Sequence, residues 1–160
     1  MKIRTGIGYD IHKLKPHIPL WIGGINIPFS KGLAGHSDGD VLIHAIVDAM
    51  LGAAGLGDIG KWFPSSDPRF KNIASIQFLK ETSAIIQEHR WNLCNLDATI
   101  ICEQPRLSSS STSMEMAIAD NLGVDQSIIN VKSTTADKIG HIGQGDAIAA
   151  LAIATLEERK

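Results

Sequence analysis

The sequence lacks several features that would point to particular classes of protein. It has two cysteines, Cys94 and Cys102, whose spacing is typical of neither a metal site nor a disulfide framework. It has no run of about 18 apolar residues that would span a bilayer, and the N-terminus has neither signal-peptide nor transit-peptide character. The net charge of −2 offers no basic surface to nucleic acid or to an anionic membrane. We therefore expect a complete cytoplasmic protein that binds neither nucleic acid nor membrane.

The overall composition is that of an ordinary globular protein. Hydrophobic residues make up 44% of the chain and charged residues 20%. A chain of 160 residues is long enough to bury a substantial core but short for two domains. We therefore expect residues 1–160 to form a single domain.

The hydrophobic pattern predicts an α+β fold with helices packed on one face of a sheet. Strands are predicted over 3–14, 19–28, 93–103 and 128–134. Helices are predicted from about residue 41 to the glycines at 52–57, over 74–90, and from the serine-rich turn at 108–113 to residue 122. The alanines of 147–156 favour a helix, whereas its continuous apolar character suits a buried strand equally well.

The first candidate site combines a strand and the helix that begins near residue 41. Asp10 and His12 are two residues apart on the first strand, so their side chains point to the same face. With His44 from the helix, they form a plausible tetrahedral metal site with an open position. Asp40 and Asp48 lie four residues on either side of His44, and either is a candidate to hold a ligating ring. The alternative is that these residues are ordinary polar groups on a solvated helix face.

The start of that helix also has candidate capping residues. Asp38 or Ser37 is expected to cap it, since the side-chain oxygen of either residue is able to accept a hydrogen bond from a free N–H of the first turn.

Two further segments suit a nucleotide. Hydroxyl groups and lysines in 132–138 suit phosphate, and Asp137 suits a hard cation such as Mg²⁺. The alternative for this segment is a helix capped by Thr135. The loop of Pro105, Arg106 and Leu107 follows a strand end, where a backbone loop is able to embrace a planar ring.

Several ordered blocks of sequence together resemble the 2-C-methyl-D-erythritol 2,4-cyclodiphosphate synthases, and the resemblance extends over essentially the whole chain. The blocks include Gly8-Tyr9-Asp10-Ile11-His12, His36-Ser37-Asp38-Gly39-Asp40, Gly57-Asp58-Ile59-Gly60, Asn130-Val131-Lys132 and Thr134-Thr135. The resemblance implies a four-stranded mixed sheet covered on one face by helices, in a ferredoxin-like arrangement. It also implies that 147–156 is a strand, and that the chain forms a homotrimer with active sites between neighbouring subunits.

The resemblance also implies a role for each candidate residue. One Zn²⁺ per subunit would be bound by Asp10, His12 and His44, and Mg²⁺ or Mn²⁺ on the substrate diphosphate would be bound by Asp137. The implied catalytic residues are His36 and Thr135. The implied substrate-binding residues are Ser37, Asp58, Gly60, Phe63 and Asp67. The implied cytidine pocket comprises Cys102, Pro105, Arg106, Leu107, Ser133 and Thr134.

The reaction implied by the resemblance is an intramolecular phosphoryl transfer. The 2-phosphate of 4-diphosphocytidyl-2-C-methyl-D-erythritol 2-phosphate attacks its own β-phosphorus, which gives the cyclic diphosphate and CMP. The chain departs from the family at Asp137, where glutamate is usual, and at Arg106, where lysine is usual. Gln144 stands where many members have an arginine near the central trimer cavity, so we expect no charge pairing with a diphosphate there.

Two other functions remain compatible with the residues alone. Two histidines and one carboxylate also form the metal site of non-haem iron oxygenases. A trimeric nucleotide-binding regulator that has kept this fold would retain the same pocket without catalysis.

Overall fold

The computed structural model describes residues 2–159. In this part of the chain there are seven strands: β1 (Ile3–Pro16), β2 (Leu20–Ile22), β3 (Ile25–Ile27), β4 (Lys31–Leu33), β5 (Trp91–Ile101), β6 (Ile129–Thr134) and β7 (Ala147–Glu158). It also has five α-helices: α1 (Val41–Ala54), α2 (Ile59–Trp62), α3 (Ile76–Glu88), α4 (Ser111–Leu122) and α5 (Gly140–Gly143). None of these helices has both the length and the apolar character that a bilayer span requires.

The main sheet is mixed and has the strand order β4-β1-β7-β5-β6. β7 pairs antiparallel with both β1 and β5, whereas β5 and β6 are parallel. The four strands predicted for this sheet are present, but β4 adds a fifth strand, which pairs with the last three residues of β1. β4 lies outside the segments predicted as strands, because three residues are too few to show a period.

The ferredoxin-like arrangement is wrong. That fold has the element order β-α-β-β-α-β. Here the second long strand, β5, is followed by α4 rather than by a strand, and only the four-residue helix α5 separates the last two long strands, β6 and β7. The parallel pair β5–β6 therefore lies at one end of the sheet, and β7 is inserted between β1 and β5.

Helix α1 packs closely on β1 and β7, and small residues make this possible. A Cβ atom at Gly6 would collide with the α1 backbone at Ala49 and Ala53. On β7, Ala150, Ala152 and Ala154 are fully buried beneath the same helix. Segment 147–156 is therefore a strand, as the resemblance implied, because a central strand under a close helix needs small side chains whatever their helix propensity.

The opposite face of the sheet remains open and apolar in the single chain. Alternate residues of a strand point to opposite faces, so the neighbours of Gly6, Gly8 and the buried alanines lie on this side. The exposed apolar side chains of this face are those of Ile3, Ile7, Tyr9, Ile11, Leu151 and Ile153. The helices therefore cover only one face of the sheet.

The predicted strand at 19–28 is two short strands, β2 and β3, which form a hairpin of their own. Gly23 and Gly24 have positive φ angles in the turn between them. The carboxylate of Asp40 accepts hydrogen bonds from both glycine N–H groups and from the N–H of Ile43. Asp40 is therefore the N-cap of α1, and the prediction of Asp38 or Ser37 at this position is wrong.

Candidate active site

Three predicted metal ligands converge between β1 and α1. Oδ2 of Asp10 lies 2.9 Å from Nε2 of His12 and 2.9 Å from Nδ1 of His44. The two histidine nitrogens are 3.1 Å apart. Asp10 and His12 point toward the helix layer because they alternate with the outward-facing Tyr9 and Ile11. This group is therefore able to hold a metal ion.

Each histidine is oriented by a hydrogen bond from its other ring nitrogen. Nδ1 of His12 lies 2.7 Å from the carbonyl oxygen of Ala34, which only accepts, so Nδ1 carries the proton. Nε2 of His44 lies 2.9 Å from Oγ of Ser75 and 3.0 Å from Oγ of Ser37. Holding the outer nitrogen in this way leaves the inner nitrogen free to bind a metal.

The ionisation of the cluster reflects the short contacts. Burial favours the neutral form of Asp10, but hydrogen bonds and charge interactions with His12 and His44 hold the pKa of this carboxyl well below its usual range. Burial also opposes the charged form of His12, yet the hydrogen bond to Asp10 raises the pKa of its imidazole. The carboxylate of Asp10 is therefore anionic at neutral pH.

The predicted supporting role of Asp40 or Asp48 is wrong. Asp40 is fully buried, and its carboxylate accepts hydrogen bonds from three backbone N–H groups rather than from a histidine ring. Asp48 accepts a hydrogen bond from the N–H of Ile59 and so anchors the start of α2. The groups that orient the metal-binding rings are instead Ala34, Ser37 and Ser75, which come from loops beside the cluster.

A cavity of about 280 Å³ adjoins the metal-binding group. Three of the predicted substrate-binding residues line it, namely Ser37, Gly60 and Phe63, together with His36, which was predicted to be catalytic. The Nε2 atom of His36 is buried and has no hydrogen-bond partner among residues 2–159. A buried nitrogen without a partner is costly, so a polar ligand that reached it would supply the missing hydrogen bond.

Asp58 and Asp67 are not among the residues that line this cavity. Asp58 caps α2 by accepting a hydrogen bond from the N–H of Lys61, next to Gly60. The carboxylate of Asp67 binds the guanidinium and the N–H of Arg69, and these bonds hold the pKa of Asp67 below its usual value. Both carboxylates lie on the flanking loop rather than in the cavity wall.

The sequence interpretation missed an aromatic wall of this cavity. The rings of Phe63 and Phe78 stack with centroids 4.7 Å apart, and Phe70 packs edge-on against both. Phe78 also lies 6.1 Å from the ring of His44, measured between centroids. The other lining residues that were not predicted are Ile59 and Ser65. Phe78 begins the buried side of α3, so the amphipathic pattern of that helix was the available signal.

A second and larger cavity, of about 540 Å³, lies at the ends of β5 and β6. All six predicted cytidine residues line it, together with Thr135: they are Cys102, Pro105, Arg106, Leu107, Ser133 and Thr134. The thiol of Cys102 donates to the carbonyl oxygen of Gln104, 3.0 Å away, within the loop that forms the cavity wall. Burial raises the pKa of this thiol to about 12, so it is uncharged.

Thr135 does not cap a helix, so that alternative is wrong. Its Oγ1 donates to Oδ1 of Asp137, 3.1 Å away, in a turn that precedes α5. Asp137 and Lys138 both have positive φ angles there, of 49° and 64°. Asp137 is exposed beside the cavity and is not one of its lining residues.

The two cavities share no lining residue. The metal-binding group lies on β1, at one side of the sheet, whereas the larger cavity lies at the ends of β5 and β6, beyond β7. Within one chain they are therefore separate sites.

Comparisons with known proteins agree on one family. A model described as the YgbB family matches residues 3–157. The curated 2-C-methyl-D-erythritol 2,4-cyclodiphosphate synthase of Alkaliphilus oremlandii is 51% identical over 154 residues, which cover 96% of this chain and 98% of that protein.

Solved structures share the fold. The bifunctional IspDF of Campylobacter jejuni superposes with a TM-score of 0.95 at 41% identity, covering 98% of this chain but 42% of that one. IspF of Plasmodium falciparum, solved as a CDP complex, superposes with a TM-score of 0.87 at 35% identity, covering 99% of this chain and 97% of that one.

Proposed function

This chain belongs to the YgbB family, and we propose that it catalyses the reaction after which its curated relatives are named. The reaction converts 4-diphosphocytidyl-2-C-methyl-D-erythritol 2-phosphate to 2-C-methyl-D-erythritol 2,4-cyclodiphosphate in the non-mevalonate isoprenoid pathway. An oxygen of the 2-phosphate attacks the β-phosphorus and forms the bond that closes the ring. The bond between the β-phosphorus and the bridging oxygen breaks, and its electron pair leaves with CMP.

The observation that carries the proposal is the convergence of Asp10, His12 and His44 beside a cavity. Their ligand atoms are 2.9–3.1 Å apart. Ligands about 2.0–2.1 Å from a tetrahedral Zn²⁺ lie about 3.3 Å from one another, so the three atoms fit zinc after a small outward movement. Two imidazoles and a carboxylate are also a donor set that zinc accepts. We therefore assign one Zn²⁺ per subunit to these residues.

A second cation is assigned to Asp137. Its carboxylate is exposed beside the larger cavity and suits Mg²⁺ or Mn²⁺ on a substrate diphosphate. When bound, zinc and this second cation neutralise the phosphate charges whose repulsion otherwise opposes the attack. Thr135 orients Asp137 through its hydroxyl, which supports its assignment to the catalytic machinery.

The walls of the smaller cavity would hold the methylerythritol phosphate. Ser37 would offer a hydroxyl to the groups about to react, and His36 would offer its unpaired nitrogen once the ring turns toward the cavity. Gly60 has no side chain and so leaves space for the carbon skeleton, and the ring of Phe63 gives it an apolar surface. Asp58 and Asp67 would meet the substrate only if the flanking loop moves, because both carboxylates now cap local turns.

The larger cavity would hold the cytidine. CDP is the ligand named for the Plasmodium falciparum relative, and a 540 Å³ cavity is large enough for a nucleotide. Cys102, Pro105 and Leu107 would surround the base, whereas Ser133 and Thr134 offer hydroxyl groups to the nucleoside. Arg106 supplies a cation for phosphate, and Thr135 would contact the diphosphate.

No nucleophilic side chain is required, because the attacking oxygen belongs to the substrate. The residues act by holding the 2-phosphate and the β-phosphorus in line, which supplies the proximity that an unassisted molecule lacks. Fixed hydrogen bonds to both metal-binding rings serve the same purpose, since they leave little to rearrange during reaction.

We further propose a homotrimer with each active site between two subunits. The open face of the sheet exposes an apolar patch, with Ile7, Tyr9 and Ile153 at its centre. Contact with other subunits would remove this patch from water, which is favourable. The two cavities share no residue, so a substrate that joins cytidine to erythritol would use the larger cavity of one subunit and the smaller cavity of its neighbour. Residues 1–160 would form one cytoplasmic domain without nucleic acid or membrane partners.

Turnover by metal-depleted protein tests the function. The diphosphocytidyl substrate is incubated with protein treated with a chelator, and then with the same protein after Zn²⁺ and Mg²⁺ are restored. We expect CMP and the cyclic diphosphate in equal amounts only after restoration. Protein that binds CMP but releases none from the substrate would instead be a nucleotide-binding regulator. CMP release at the same rate before and after metal is restored would show that the reaction needs no metal.

A further inference from the structure

Ser75 is a fully buried polar residue whose hydroxyl contacts other side chains instead of capping a helix. It immediately precedes α3, a position where serine normally caps the helix. Its side chain makes no capping hydrogen bond. Its Oγ instead lies within hydrogen-bonding distance of Asp38, Ser37 and His44.

The direction of these hydrogen bonds follows from the chemistry of Asp38. A carboxylate only accepts, and Oδ1 of Asp38 lies 2.5 Å from Oγ of Ser75. Oδ2 of Asp38 accepts from the backbone N–H of Ser75, 3.0 Å away, which fixes both residues relative to each other. The hydroxyl proton of Ser75 therefore points to Asp38, and toward His44 the oxygen presents only lone pairs.

A serine oxygen that presents lone pairs requires a proton on the facing nitrogen. Nε2 of His44 lies 2.9 Å from Oγ of Ser75, so this nitrogen carries the proton. The lone pair of the ring is then on Nδ1, which faces Asp10 and His12. We propose that Ser75, held by Asp38, is a positioning residue that fixes the metal-binding form and orientation of His44.

Ser37 is placed differently, although its Oγ is also 3.0 Å from Nε2 of His44. Ser37 is partly exposed and lines the substrate cavity, so its hydroxyl is able to turn to a substrate. Ser75 is not among the lining residues, and its contact with Nε2 of His44 is direct and does not pass through Ser37. The two serines therefore separate two tasks, with Ser37 serving the substrate and Ser75 serving the metal ligand.

Zinc affinity of the full-length, metal-depleted protein tests this assignment, which rests on the zinc site of the proposed function. Affinity is measured by competition with a chromophoric chelator for the wild type and for Ser75→Ala. We expect Ser75→Ala to weaken zinc binding by about 10- to 100-fold. An affinity within about twofold of the wild type would overturn the assignment.

Thr82→Val is the matched control. Thr82 lies on α3 and is fully buried, and its hydroxyl has no partner among residues 2–159. Removal of this hydroxyl should leave zinc affinity unchanged, which separates loss of a hydrogen bond from general disturbance of α3. Ser37→Ala should also keep zinc affinity within about threefold while it raises KM, because Ser75 still holds the ring. An equal loss of affinity in Ser37→Ala would contradict the division of tasks.

A spectroscopic measurement reports the hydrogen bond itself. In the zinc-loaded wild type, the Nε2 proton of His44 should give a slowly exchanging imidazole resonance, and Ser75→Ala should make that exchange fast. Unchanged exchange would also overturn the proposal. If Ser75→Ala fails to fold by circular dichroism, Ser75→Cys takes its place with the same expected losses, since a thiol is a weak acceptor of similar shape.

Wild-type turnover separates this inference from the function on which it rests. Wild-type protein that releases CMP, together with a Ser75→Ala variant of unchanged zinc affinity, would refute the role of Ser75 and leave the synthase intact. Wild-type protein that binds zinc but releases no CMP would refute the synthase, while a loss of affinity in Ser75→Ala would still establish the positioning role.

Discussion

Gly8 of β1 touches the backbone of α1 at Ala45: a Cβ atom at Gly8 would collide with the carbonyl oxygen of Ala45. The two residues flank the metal-binding group, because Asp10 follows Gly8 on the same face of the strand and His44 precedes Ala45 in the helix. The close approach of strand and helix therefore sets the 2.9 Å separation between Oδ2 of Asp10 and Nδ1 of His44.

Gly8→Ala should separate the strand from the helix and damage the metal site. The added methyl group meets backbone atoms, which cannot move aside as a side chain does, so we expect a loss of at least about 1–3 kcal/mol in the free energy of unfolding. We also expect weaker zinc binding. Urea denaturation and chelator competition measure the two effects, and wild-type values for both would contradict the packing argument.

Gly52→Ala is the control for that substitution. Gly52 is exposed in the same helix, and outside the neighbouring helix backbone no atom lies within 4 Å of its Cβ position. Alanine there should stabilise the protein by about 0.5–1 kcal/mol, because glycine is the poorer helix former. Zinc affinity should not change.

Ile153→Asp should prevent assembly of the trimer. Ile153 is 39% exposed in the single chain and pairs with Ile7, which is 64% exposed, at the centre of the open sheet face. A carboxylate there would have to be buried without a partner in the trimer. Analytical ultracentrifugation should show a trimer for the wild type and a monomer for the variant. Met116→Asp, which alters an exposed apolar residue of α4 on the helix side, should remain trimeric.

Asp137→Ala should raise the Mg²⁺ concentration needed for half-maximal turnover by about tenfold or more, because a hard cation loses an anionic ligand. Asp137→Glu retains the carboxylate, so the Mg²⁺ concentration that it needs for half-maximal turnover should stay close to that of the wild type. Steady-state rates across a Mg²⁺ titration, with zinc held saturating, measure the effect. Identical titration curves for the wild type and Asp137→Ala would remove Asp137 from the mechanism.

Cys102 should react slowly with iodoacetamide in the native protein. The thiolate is the reactive form, and a pKa of about 12 leaves little of it at pH 8. A thiol with a pKa near 9 has about a thousand times more thiolate at that pH. Alkylation of Cys102, followed by peptide mass spectrometry, should therefore accelerate about tenfold for each pH unit above 8. Reaction at the denatured-state rate at pH 8 would show that the loop around Cys102 is open.

The metal-binding group was predictable because its signals are local. A two-residue spacing on a strand places Asp10 and His12 on one face, and the helical pattern around His44 turns that residue toward the same layer. The two segments that line the larger cavity each suited a nucleotide by their residues, but only the resemblance to known sequences joined them into one pocket. No periodicity joins Leu107 to Ser133, which come together because β5 and β6 end at the same edge.

The parts that escaped prediction depend on contacts between distant segments. The sequence favoured Asp38 or Ser37 as the cap of α1, and Asp40 takes that position because its carboxylate also binds the distant Gly23–Gly24 turn. Ser75 has the sequence context of a helix cap, and only the fold brings Asp38 and His44 to its hydroxyl. The strand β7 contradicts the helix propensity of alanine, because its residues pack under α1.

The joining of both cavities into one active site is tested most directly by mixing two inactive variants. His44→Ala removes one imidazole of the metal-binding group, and Thr135→Ala removes a hydroxyl from the larger cavity, which is proposed to hold the cytidine. Each variant alone should release CMP at a small fraction of the wild-type rate. Mixed trimers, prepared by co-expression with two different affinity tags, contain some interfaces with an intact metal group on one side and an intact nucleotide cavity on the other.

The measurement is the rate of CMP release by these mixed trimers. If each site is built by two subunits, every trimer that contains both variants has one intact site of three, and the mixed trimers should recover about a third of the wild-type activity. Activity no higher than that of the separate variants would contradict the shared active site, since every chain in the mixture would then carry a defect in its own site.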